Sequence, residues 1–279
     1  MVAPLAISLA YAGVTWGSWR GLRNAGGGAA GARGDNMTSG LMALAVILHA
    51  ALLSHQVFGG DGLRFGFAFF LSATMLVACA LLWIEGFFAA LGGLRLLLAP
   101  LAAASALLPA FFHGVELAGE GGALAMRAHI ALSVLASSLF TLAFLLAVLM
   151  FFVDRHLHRP PARGSRGLAQ LLEHMPSLLA LESMLFRQIA AGFLLLTATL
   201  ASGVAFSEEL FGRPLRFDHK TVFAIISWVV MGSLLAGRRA FGWRGRVAQR
   251  WVFAGVAALL LAYVGSRFVF EVVLGRAWI

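Results

Sequence analysis

Apolar side chains run along this chain in long, nearly unbroken stretches, set apart by short segments that hold most of the charge. A helix needs about 20 apolar residues to cross a bilayer. The runs predict eight such helices, over 3–19, 39–57, 65–84, 95–111, 129–152, 188–206, 221–237 and 251–270. The first run has no basic residues ahead of it and reaches Trp16 and Trp19 before Arg20, which marks a retained span with its amino end outside, not a cleaved leader. An even count returns the carboxyl end to the same side. The predicted fold class is therefore all-α: a single polytopic integral membrane helix bundle over residues 1–279, with about eight transmembrane helices and both termini outside.

Three connections have a character of their own. Residues 20–38 are rich in Gly and Ala, too poor in large apolar groups to build a core, and are expected to form a flexible inner linker. The inner loop 153–187 carries Leu168, Leu171, Leu172, Met175 and Leu179 at helical spacing, the pattern of an amphipathic segment lying in the interface, broken near Pro176. The outer loop 207–220 (SEELFGRPLRFDHK) is short, charged and aromatic.

Composition removes whole classes of function. Hydrophobic residues make up 61% and charged residues 12% of the chain, against about 25% charged in soluble domains, so a soluble enzyme and a disulfide-stapled secreted domain are excluded. The single cysteine, Cys79, has no partner for an internal disulfide. The net charge of +9 is placed on one side. With the amino end outside, fourteen of the 21 basic residues and five of the 12 acids face inward, leaving the outer face neutral. This distribution accounts for the charge by membrane insertion and anionic lipid contact, and no nucleic-acid partner is expected.

The candidate chemistry lies in histidines. His156, His158 and His174 fall among arginines of the inner loop and suit a solvated role. His49, His55, His113, His129 and His219 all fall in the outer half of the membrane or at its outer edge, where an ionisable group is a functional hypothesis by default. His49 and His55, six residues apart, are displaced by about 120° on one helix and cannot face the same centre. His129 heads a row at four-residue spacing, Ser133, Ser137 and Thr141, suited either to a polar face or to close helix packing. Imidazole binds Zn, Cu, Fe and haem iron. The sequence has no HExxH and no CxxC. Haem requires one or two axial nitrogens, an aromatic and aliphatic wall, and cations for its propionates. Phe65, Phe67, Phe69, Phe70, Phe111, Phe112, Phe206, Phe211 and Phe217 can supply the wall, and Arg64, Arg127, Arg213, Arg216 and Lys220 the cations.

The segments LESMLFRQIAAGFLLLTATLASGVAF, SEELFGRPLRFDHKTVFAIISWVVMGSLLAGRRAFGWRGR and AYVGSRF, preceded by RAHIALSVLASSLFTLAFLLAVLMF, resemble the membrane core of the cytochrome c assembly protein family. That family includes CcsA, CcmC, HemX-like and YpjD-like proteins, and the pattern here is most similar to the YpjD-like branch. The resemblance covers roughly residues 40–270. It implies a bundle that exposes haem on its outer face for cytochrome c maturation. The family's haem loop, WGxxWxWD, aligns with Phe211 to Asp218: Gly212 and Asp218 remain, and the three tryptophans are replaced by Phe211, Leu215 and Phe217. His129 matches the outward histidine that precedes this loop, and His49 or His55 matches a membrane-embedded one. A second outward histidine beyond the last span has no counterpart, since 269–279 holds no His.

Together these readings imply an inner-membrane protein that binds b-type, non-covalent haem near its outer face, in an assembly or accessory role. His129 and His49 are the expected iron ligands, with His55 and His219 as further candidates and Phe211, Phe217, Asp218 and Arg127 around the macrocycle. Its partners would be the lipid bilayer and apocytochrome c or other haem-maturation membrane proteins. The alternatives are a non-catalytic scaffold or regulator of haem synthesis or cytochrome maturation, and a holocytochrome c synthase. The synthase ranks lower because the loop tryptophans are lost.

Overall fold

Apolar runs of this length satisfy their backbone in lipid only as helices or closed barrels, and the computed structural model is helical. It describes residues 2–23, 29–59, 63–89, 91–117, 124–158, 177–205 and 219–265. Eight helices result: α1 (Val2–Arg23), α2 (Ala29–Phe58), α3 (Phe67–Glu85), α4 (Gly92–Phe111), α5 (Leu124–His158), α6 (Leu178–Ala205), α7 (His219–Phe241) and α8 (Gly245–Leu260). The last continues as a π-helical turn over Leu261–Gly265. The chain is an all-α polytopic membrane bundle: among the described residues, seven helices, α2 to α8, are long and apolar enough to cross a membrane.

The long α5 lies centrally and packs on α6, α3 and α8, while α1 packs on α4 and α2. One core runs through these contacts, with Tyr11, Leu82, Leu98, Phe140, Leu146, Leu185 and Ile189 withdrawn from the surface. The turn between α7 and α8 is tight and uses Gly242 and Gly245 at φ of 68° and 53°, a region that side chains with a Cβ rarely enter.

Several boundaries differ from those the hydropathy predicts. Helix α2 begins at Ala29, so residues 29–38 of the expected linker are helical. Helix α6 begins at Leu178 and buries Leu181, Met184 and Leu185 in the core, so this part of the expected interfacial loop is an ordinary bundle helix. Arg95, the first residue of the predicted 95–111 span, is three residues inside α4 and only 3% exposed, and its guanidinium pairs with Asp35 on α2 at 2.6 Å. Glu85 turns inward and accepts a hydrogen bond from Gln188 Nε2 on α6. Asp35, Arg95 and Glu85, at the ends of the apolar runs, each have a partner on another helix.

At the opposite end the pattern missed a two-stranded antiparallel ribbon, β1 (Leu63–Phe65) with β2 (Val115–Leu117), which ties the α2–α3 connection to the α4–α5 connection. It caps a second, aromatic core of Leu53, Phe65, Phe69, Phe70 and Val134, with Ile130 and Tyr263 packed against it. Phe211, Phe217 and Asp218 of the expected haem loop, and Leu168 to Met175 of the amphipathic segment, lie outside the described residues.

Candidate functional site

His129 is in the second turn of α5, at the ribbon end of the bundle, half-buried. Its Nδ1 lies 2.9 Å from Ser202 Oγ on α6. That hydroxyl is also 2.9 Å from the Thr199 carbonyl, to which it donates its one hydrogen. With that hydrogen on the carbonyl, the hydroxyl would accept from Nδ1 of His129, the tautomer that puts the lone pair on Nε2. A backbone-anchored hydroxyl in that role would fix the tautomer and ring angle, as the outer hydrogen bond of a metal-bound imidazole does. Gly203 lies alongside the ring, where a Cβ would stand in ordinary contact, 3.4 Å from His129 Cε1.

Two further elements converge on this place. Lys220, in the first turn of α7, acts electrostatically on His129. Its ammonium also stands 5.7 Å from the centre of the Tyr263 ring. Tyr263 stacks on Phe70 at 3.7 Å and meets Phe65 edge-on at 6.5 Å. Ile130, the residue after His129, packs on the same aromatic cluster. His219, exposed, begins the helix that carries Lys220.

The other candidates are placed differently. His49 is 1% exposed and has both ring nitrogens engaged, Nδ1 with the Tyr11 hydroxyl at 3.2 Å and Nε2 with Ser72 Oγ at 2.8 Å. It joins α1, α2 and α3, a different set of helices from those around His129. A metal could reach it only by breaking one of these bonds, so the geometry sets it apart from the His129 group. His55, on the same helix, is exposed, as the 120° offset requires. Arg127 is exposed and lies 5.9 Å over the Phe58 ring, tying the head of α5 to the tail of α2. His113 is exposed in the connection after α4.

Two hydroxyls of the row below His129 are satisfied within their own helix: Ser133 donates to the His129 carbonyl and Thr141 to the Ser137 carbonyl. Ser137 and Thr141 also line a cleft of about 40 Å³ with Thr74 and Phe140, room for one or a few waters. Sequence reasoning missed Ser202, Tyr11, Ser72 and Tyr263, all small or amphipathic residues whose partners are at least 23 positions away.

Residues 36–274 match the family described as Cytochrome C assembly protein. The chain belongs to the cytochrome c assembly family. Among relatives, it is 36% identical over 147 residues to an uncharacterized 28.8 kDa protein in the nifR3-like 5′ region of Azospirillum brasilense, covering 53% of this chain and 52% of that protein. It is 34% identical over 148 residues to the inner membrane protein YpjD of Escherichia coli K12, covering 53% of each. A shorter match, 36% over 85 residues, links 30% of this family member to 27% of the cytochrome c biogenesis protein CcsA of Prochlorococcus marinus NATL1A. The chain spans about half the length of the first two relatives it matches. No solved structure matches it.

Proposed function

We propose that this member of the cytochrome c assembly family is a multi-pass inner-membrane protein that holds b-type, non-covalent haem near its outer face through His129, in an assembly or accessory role. The observation that carries this reading is the His129–Ser202 hydrogen bond, which favours a lone pair on Nε2, at the end of the bundle that also holds Lys220 and the Tyr263–Phe70 stack. These residues match what haem needs: one neutral imidazole, a flat aromatic wall and a cation for a propionate. His219 is the proposed second imidazole, because α7 brings it to the His129 end of the bundle, whereas His49 is committed to Tyr11 and Ser72. Phe211, Phe217 and Asp218, just ahead of His219 in sequence, would close the site from the loop, with Arg127 as a further propionate partner.

Bound haem would supply an iron porphyrin for delivery to a maturing cytochrome. The chain's own work is to orient the ligand imidazole, neutralise the propionates and shield the macrocycle edge with aromatic groups. Both termini would lie outside, and apocytochrome c or other haem-maturation membrane proteins would be the partners. The test is the absorption spectrum of protein purified in detergent from haem-replete cells. A Soret band is expected in the native protein and in His158→Ala, and its loss in His129→Ala. Protein that carries no porphyrin under those conditions overturns the reading.

A further inference from the structure

Helix α1 ends in a ladder that the haem reading does not use and that lies ahead of the family-matched residues. Trp16, Trp19, Arg20 and Arg23 follow at spacings of three, four and seven, which puts all four on one helical face. The two indoles lie 5.0 Å apart, with the Arg20 guanidinium 5.4 Å over Trp16 and that of Arg23 4.6 Å over Trp19. The four side chains line an open cleft of about 350 Å³. Ring faces lie against both cations, and the first 34 residues contain three arginines and no Asp or Glu.

The rest of the same stripe is apolar and open. Val2, Leu5, Leu9 and Trp16 are 83%, 49%, 72% and 55% exposed. From Val2 to Trp16 this lane is about 21 Å long at 1.5 Å per residue, which exceeds the roughly 15 Å of hydrocarbon in one leaflet. An acyl-chain lane that ends in two guanidiniums held on indoles matches one occupant in both parts.

We propose that this face of α1 binds an anionic phospholipid, its phosphate between Arg20 and Arg23 and its chains along the Val2–Trp16 stripe, in the leaflet on the basic side of the bundle. A planar guanidinium can pair with phosphate through two hydrogen bonds while its face stays on the indole. Zwitterionic lipid offers the same tails but no net charge to hold.

The experiment is lipid retention by the full chain, exchanged into nanodiscs of phosphatidylcholine with or without phosphatidylglycerol, re-extracted in mild detergent, and read by mass spectrometry of the bound lipid. The native protein is expected to retain phosphatidylglycerol in preference to phosphatidylcholine. Arg20→Gln/Arg23→Gln is expected to lower that retention on the order of 10-fold. Arg239→Gln/Arg250→Gln, which removes two exposed charges elsewhere at the basic end, is expected to leave it unchanged. Trp16→Leu/Trp19→Leu keeps the charges and removes the platform, with an intermediate loss expected; it carries the test if the arginine variant does not fold. Equal retention in the Arg20/Arg23 variant, or an equal loss in the Arg239/Arg250 control, overturns the proposal. So does saturable binding of inorganic phosphate to lipid-free protein with no lipid retained, which would make the ligand free phosphate.

Discussion

Two histidines of the same bundle, His49 buried and His129 half-buried, differ in what their nitrogens contact. His129 bonds through Nδ1 with Ser202, and under the proposed function Nε2 would be the ligating atom, while His49 spends both nitrogens on Tyr11 and Ser72. The consequence is a pair of opposite outcomes. Ser202→Ala should leave the fold intact and weaken haem retention by roughly tenfold, the usual cost of losing an outer partner of a metal-bound imidazole, read by haem titration of the purified apoprotein. His49→Leu should instead cost about 1–3 kcal/mol by stranding the buried Tyr11 and Ser72 hydroxyls, seen as a lower thermal midpoint, with haem per folded molecule unchanged. If His49→Leu loses haem at an unchanged midpoint, His49 is the ligand after all. One feature of the histidines was legible from the sequence, the 120° separation between buried His49 and exposed His55. That His49 has both ring nitrogens engaged was not, because Tyr11 and Ser72 are 38 and 23 residues from it, and neither carries a local mark.

Hydropathy reads helices well in their middles and badly at their ends. The apolar runs located the described helices, yet α2 and α6 each begin about ten residues earlier than the runs, since hydropathy stops at the first charge while the backbone continues into the interface. Polar residues near such ends pair between helices: Asp35 with Arg95, Glu85 with Gln188, and Asp154 with Arg246 at 3.0 Å. The Asp35–Arg95 pair is asymmetric, with Asp35 66% exposed and Arg95 3%. Asp35→Asn should therefore destabilise more than Arg95→Met. The first leaves a buried guanidinium without its counter-ion, a loss of the kind that costs about 3–5 kcal/mol, while the second leaves only a solvated carboxylate. Chemical denaturation of the two variants in the same detergent should rank them in that order. The short ribbon β1–β2 left no trace in the pattern, because three-residue strands are shorter than any periodicity that would reveal them.

The two ends of the molecule are electrostatically unlike, and the helix order decides which residues share an end. One end gathers Arg20 and Arg23 from α1, Arg95 from α4, Arg155 from α5, Arg238 and Arg239 from α7, and Arg244, Arg246 and Arg250 around the head of α8. The ion pairs Asp35–Arg95, Glu182–Arg244 and Asp154–Arg246 fasten helices to one another there. The other end has the ribbon, the aromatic cluster, His129, Arg127 and Lys220. Lysine and arginine near span ends keep their loops in the cytoplasm during insertion, so the His129 end should face outward. Because Cys79 is the only cysteine and is buried, its replacement by Ala yields a background for single-cysteine labelling. In intact spheroplasts a membrane-impermeant maleimide should label His113→Cys, exposed near the ribbon, and spare Arg239→Cys, exposed at the basic end, until the membrane is opened. The reverse pattern would turn the His129 end toward the cytoplasm. Haem could then be held there but could not be offered to a cytochrome maturing on the outer side, so the orientation decides the assembly role independently of whether haem binds.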